Sequence, residues 1–136
     1  MNPAVPLVWR LRALQASLLL PPLVRLVSLG RLSAWLGRIG PPDPGLDDRA
    51  LAAWVDRLLY AAPPPWRRTC LTRGTVMFHL LRRAGRPVEL KIGVRRDGAR
   101  NLAAHAWLVL HGAPYLEAED HPSQAFADIA TFPERA

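Results

Sequence analysis

The spacing of apolar residues predicts a helical first half. Residues 7–20 and 23–39 each repeat apolar side chains at helical intervals. Pro21-Pro22 lies between them, and we expect two helices there because proline interrupts helical hydrogen bonding. A third helix is predicted from Asp47 or Asp48 to Tyr60, with an aspartate as its N-cap. Cys70–Ala84 is apolar on most sides, which indicates a central, buried helix.

The second half changes to the two-residue period of strands. Residues 88–94 alternate apolar and polar side chains, and 103–110 form a second predicted strand. His111-Gly112 indicates a tight turn before a short third strand at 115–118, and one helical turn is expected within 123–129. Helices followed by an antiparallel meander define an α+β fold. The Gly40–Gly45 run, rich in proline, marks the predicted boundary between an N-terminal helical region, 1–40, and a domain at 41–136.

Charge and cysteine content narrow the function classes. The net charge is +7 and Lys91 is the sole lysine, so nearly all positive charge comes from arginines spread along the chain. Aromatic residues are few and are not interleaved with these arginines, which disfavours nucleic acid and favours an acidic protein or peptide as partner. One cysteine excludes an intramolecular disulfide framework and a multi-cysteine metal site.

The N-terminal apolar stretch does not have the pattern of a membrane span or a signal peptide. Arginines interrupt it, and Pro21-Pro22 splits it before the roughly 20 apolar residues needed to cross a bilayer. We expect helices that pack on the domain or touch a membrane surface, in a cytoplasmic protein.

Cys70 is the first candidate for chemistry, because it stands where a proline-rich loop meets the predicted buried helix. Amide groups and the positive end of the helix dipole at such a position favour the thiolate, which is the nucleophilic form. A small buried side chain is the alternative interpretation.

His105 is the candidate base, on a predicted strand between small alanines and on the same strand face as Trp107. A strand-borne base and a helix-borne thiol are the elements that cysteine acyl transfer uses. Glu117, Glu119 and Asp120 follow across the turn and could orient the imidazole; the pattern alone does not choose among them. His79 is expected to be packed in the buried helix and His111 to lie in the turn.

Four segments in order resemble a known family: Thr69–Arg73, Leu80–Pro87, Ile92–Gly98 and Ala104–Trp107. Together with the arginine-containing N-terminal helices, they are similar to the transglutaminase-like leader peptidases of lasso-peptide biosynthesis, the family of the microcin-processing protease C-terminal domain. The resemblance covers roughly residues 5–118. It implies a papain-like core in which Cys70, His105 and an acid form a triad.

The resemblance also implies an activity and partners. The enzyme would remove the leader from a ribosomally made precursor peptide, with a separate leader-binding protein and a macrolactam cyclase in the same pathway. The family's aspartate position holds Glu117 here, so either Glu117 or Asp120 is expected to be the acid. Trp66, Arg73 and Trp107 are candidate substrate contacts, and no metal or cofactor is implied. The alternatives are a transglutaminase-type acyltransferase, a peptide-binding module with a decayed triad and, least favoured, a nucleic-acid binder.

Overall fold

The fold consists of four helices and a four-stranded antiparallel sheet, seen in a computed structural model that describes residues 5–63, 69–97, 101–116 and 127–132. The helices come first in the chain, and the predicted α+β class is confirmed. Their bounds are α1 Leu7–Leu26, α2 Leu29–Leu36, α3 Asp48–Tyr60 and α4 Cys70–Arg83. The strands are β1 Glu89–Asp97, β2 Asn101–Leu110, β3 Ala113–Tyr115 and β4 Ala127–Phe132.

The sheet has the order β3-β2-β1-β4. Its central hairpin joins β1 to β2 with Gly93 opposite His105 and Ile92 opposite Ala106. His111 and Gly112 both have positive φ, 51° and 82°, which is the backbone of a two-residue hairpin turn whose twist matches that of the strands. The predicted turn is therefore confirmed, and β3 leaves it paired with the last three residues of β2.

α4 lies at the centre of the core, between the other helices and one face of the sheet. Its residues Val76, Met77, Leu80 and Leu81 have no solvent exposure. Several residues of α1 and α3 belong to the same apolar cluster, as do the sheet residues Leu90, Ala106, Leu108 and Phe132. α4 is thus the buried helix that the sequence predicts. The proposed boundary near residue 40 stays a prediction.

Two predictions of secondary structure were wrong, and the third strand, predicted at 115–118, lies instead at Ala113–Tyr115 with Leu116 outside it. α1 continues through Pro21-Pro22 and ends at Leu26, where Val27 becomes extended (φ −118°, ψ 140°). Buried contacts of Leu20 and Pro21 offset the hydrogen bonds that the prolines cannot donate. The helical turn expected within 123–129 is also wrong for 127–129, which belong to β4; residues 123–126 lie outside the described ranges. Pairing with β1 determines this strand, and local pattern does not reveal it.

Two arginines, Arg82 and Arg86, connect nearby loops to the C-terminal end of α4 through hydrogen bonds. Arg82 donates to the carbonyl oxygens of Gly37 (2.6 Å) and Val88 (2.7 Å). Arg86 donates to the carbonyl oxygens of Asp43 (2.7 Å) and Leu46 (2.9 Å) and forms a 3.0 Å ion pair with a carboxylate of α3, Asp48. Planar guanidinium groups suit such multiple contacts, so these arginines hold the α2–α3 connection against the end of the central helix.

His79 is packed within α4, as expected. Its Nδ1 lies 3.3 Å from the carbonyl oxygen of Leu36. Burial lowers the pKa of His79 below its ordinary value, against an opposing effect of this backbone contact.

Among the described residues, no helix is both long and apolar enough to cross a membrane.

We predict that Gly85→Ala destabilises the fold more than Gly112→Ala does. Both glycines have similar positive φ values, 87° and 82°. A Cβ at Gly85 would stand 2.5 Å from Cα of Pro42, whereas one at Gly112 would meet nothing within 4 Å. We expect a loss of about 1 kcal/mol of unfolding free energy at Gly112 from strain alone, and a further 1–3 kcal/mol, roughly, at Gly85. Urea unfolding of both variants measures the difference; equal losses would contradict the packing argument.

Candidate active site

The first turn of α4 is built by a threonine cap. Thr69 is extended (φ −126°, ψ 165°), and its Oγ1 accepts a hydrogen bond from the amide of Thr72 at 3.1 Å. The hydroxyls of these two threonines are 2.9 Å apart. Cys70 is the first residue of the helix, and its amide and that of Leu71 have no acceptor within the helix. Cys70 thus stands at the positive end of the helix dipole, as predicted, while its side chain lies outside what the structure describes.

His105 lies in the middle of β2 and is 6% exposed. Its ring stacks on Trp107, with 5.7 Å between ring centroids and 16° between the planes. The residue directly opposite on β1 is Gly93, so no side chain crowds the imidazole from that position. Burial and stacking together hold the orientation of the ring, which a general base requires.

α4 packs at Gly74 against Leu90 of β1 and Ala106 of β2, the residue after His105. A Cβ at Gly74 would lie 2.9 Å from Cδ1 of Leu90 and 4.0 Å from Cβ of Ala106. Cys70 is one helical turn before Gly74, and His105 is the residue before Ala106. The start of α4 and the middle of β2 are therefore neighbours.

The two faces of β2 have different neighbours. Ala106 and Leu108 belong to the core beside α4, so alternation places His105 and Trp107 on the other face. β3 pairs with β2 only at Leu108–Leu110, among the described residues, and does not reach His105. The imidazole of His105 therefore lies on the face of β2 opposite the face that packs beside α4.

Arg73, in the first turn of α4, connects this helix to the chain that follows β3. Its Nη1 donates to the carbonyl oxygen of Leu116 at 2.9 Å, and its Nε forms a 2.9 Å ion pair with Asp56 of α3. Leu116 is the residue before Glu117. The structure therefore brings together the start of α4, the edge of β2 and the approach to the predicted acids.

Several predicted site residues lie outside the described ranges. These are the candidate acids Glu117, Glu119 and Asp120, and the candidate substrate contact Trp66. Of the other two candidate contacts, Trp107 is buried against His105 and Arg73 makes the internal contacts above. The triad and the substrate contacts stay predictions.

Two positioning residues were missed in the sequence. Gly74 interrupts an otherwise bulky helix, and such a glycine within a helical pattern indicates close packing against a neighbouring element. Thr69 precedes the helix and has the side chain of an N-cap residue.

Within the described part of the chain, no three His, Cys, Asp or Glu side chains come close enough together to bind a metal ion.

The arrangement defines a class of protein: an α+β fold in which a buried helix, with a cysteine as its first residue, packs on an antiparallel sheet that carries a histidine. A family model for the transglutaminase-like superfamily matches residues 5–131. The chain belongs to this superfamily, which includes cysteine peptidases and acyltransferases. No curated protein and no solved structure matches the chain.

We predict that Thr69→Ala lowers the unfolding free energy by about 1 kcal/mol, because the amide of Thr72 loses its capping acceptor. Thr69→Ser retains the hydroxyl and should behave as the wild type. Urea unfolding of the three proteins tests this expectation. Equal stability of the alanine and serine variants would show that the cap contributes nothing to this helix.

A second prediction concerns Tyr115 at the end of β3. Its hydroxyl donates to a carboxylate oxygen of Asp48 at 2.5 Å. Burial, followed by this hydrogen bond, raises the pKa of Tyr115 to about 12. The folded chain therefore holds the phenolic proton more tightly than the unfolded chain, and the contribution of Tyr115 to stability is lost as the pH rises from about 10 to about 12.

Absorbance titration of phenolate formation measures this value, with Tyr115→Phe identifying the signal. Asp48→Asn should bring the midpoint back toward 10, the ordinary value. A wild-type midpoint already near 10 would contradict the predicted shift.

Proposed function

We propose that this protein is a cysteine peptidase that removes the leader from a ribosomally made precursor peptide of the lasso type. Membership of the transglutaminase-like superfamily supports thiol-dependent acyl transfer. The observation that carries the site is the contact of Gly74 with Leu90 and Ala106, which sets the start of α4 beside the strand that holds His105.

The chemistry begins at Cys70. Its thiolate attacks the carbonyl carbon at the junction of leader and core, and the amides of the first turn of α4 are suited to bind the oxyanion that forms. His105 takes the thiol proton and delivers it to the leaving amine as the peptide bond breaks. Water, deprotonated by His105, then cleaves the thioester and restores the thiol. Glu117, or alternatively Asp120, accepts a hydrogen bond from the imidazole and orients it.

The proposal includes partners and a location. A separate leader-binding protein delivers the precursor, and a macrolactam cyclase acts on the released core. The reaction takes place in the cytoplasm of a bacterium. No cofactor is needed, because the thiol, the imidazole and water supply every proton and electron pair in these steps.

The test uses the purified chain with a candidate precursor peptide and a candidate leader-binding protein taken from neighbouring genes, and follows products by mass spectrometry. We expect free leader and free core from the wild type. Cys70→Ala should lower the rate by about 10³-fold or more, and His105→Gln by about 10²–10⁴-fold. His111→Asn is the matched control, because it alters a histidine in the hairpin turn and should leave the rate unchanged.

Glu117→Gln and Asp120→Asn identify the acid, since the substitution that removes the orienting carboxylate should slow cleavage more.

Other outcomes of the cleavage assay would overturn the proposed function. A product in which the acyl group is joined to an amine would indicate an acyltransferase. Cleavage that is unaffected by Cys70→Ala would show that the chain does not supply the nucleophile.

A further inference from the structure

The outward side of α1 is apolar, although no described element covers it. The helix packs inward through Trp9, Ala13, Ala16 and Leu20, which are at most 5% exposed. Seven large apolar side chains on its outward side are about half to four-fifths exposed. We call this set the α1 outer face: Leu7, Val8, Leu11, Leu14, Leu18, Leu19 and Leu26.

The α1 outer face is broad and bordered by cations. At 3.6 residues per turn, its seven residues cover an arc of roughly 140°. Arg10 lies just beyond one edge of the arc and Arg12 just beyond the other. Their guanidinium groups stand over tryptophan rings, 5.1 Å from the centroid of Trp54 and 4.7 Å from that of Trp9. Gln15 and Arg25 are the polar positions within the arc.

The charge carried by α1 and α2 themselves has one sign. Residues 1–42 contain five arginines and no aspartate or glutamate. A broad apolar arc bordered by arginines is the arrangement of helices that lie in the plane of a bilayer surface, with leucines among the acyl chains and guanidinium groups at anionic headgroups.

We propose that the α1 outer face binds the surface of an anionic membrane. A second copy of the chain would oppose arginine to arginine across the same face, which the charge disfavours. A single protein helix would contact a narrower seam than this convex arc. A groove of about 220 Å³ beside the face, formed by Leu14 and Leu18 with Leu58, Leu59 and Pro63, gives an acyl chain further apolar contacts. The proposal is independent of the peptidase reaction.

Cosedimentation with vesicles tests it. The wild type should bind vesicles of equal parts phosphatidylglycerol and phosphatidylcholine at least ~10-fold more strongly than vesicles of phosphatidylcholine alone, and added salt should weaken the binding. Leu11→Asp should lower the partition coefficient by ~10-fold or more, because it removes an exposed leucine that the bilayer would bury and adds a charge of the same sign as the lipid. Circular dichroism checks that each variant is folded.

The matched control is Ala53→Asp, which adds the same charge at an exposed position of α3 and should bind as the wild type does. Four results would overturn the proposal: no binding to either vesicle, equal binding to both, wild-type binding by Leu11→Asp, or a dimer by light scattering that Leu11→Asp converts to monomer. The last would assign the face to a second copy.

Discussion

The close approach of α4 to the sheet at Gly74 is the contact on which the rest of the arrangement depends. A Cβ at this position would lie 2.9 Å from Cδ1 of Leu90 on β1, and a large side chain would hold the helix away from the sheet. The same helix is enclosed by α1 and α3 on its other sides, so it has little room to move sideways. Its first residue, Cys70, is consequently held at a defined place beside β2. Dense packing of the helix body thus positions a cysteine at its end.

The arginines of this protein do more than give it charge. Their number and even spread are consistent with a compositional bias. Arg82 and Arg86 nevertheless have structural roles, because they donate hydrogen bonds to carbonyl oxygens of loop residues. Arg73 similarly joins α3, α4 and the chain after β3. A guanidinium satisfies several acceptors at once, which suits a small domain with long connections. Arg10 and Arg12, in contrast, border an exposed apolar face. One residue type therefore serves both the interior and the surface.

The sequence predicts well those elements whose pattern is local. The α3 start at an aspartate cap, the buried α4 and the turn at His111-Gly112 all follow from spacing, capping and backbone preference. It predicts poorly those elements that tertiary contacts determine. α1 passes through two prolines because its inner side is buried, and β4 exists because β1 offers it an edge. Neither cause is visible within a window of a few residues.

The acid of the candidate site is the part that pattern is least able to assign, and the end of β3 shows why. Strand alternation would place Glu117 and Glu119 on one face if the strand continued through 119. β3 instead ends at Tyr115, and Leu116 adopts a left-handed conformation with φ 54°, which is unfavourable for a leucine. The hydrogen bond from Arg73 holds the carbonyl of this residue. Leu116 is therefore both strained and held in place by Arg73 from the start of α4. It sets the direction in which the chain leaves the sheet. Alternation along β3 ends at Tyr115 and therefore gives no basis for choosing between Glu117 and Asp120.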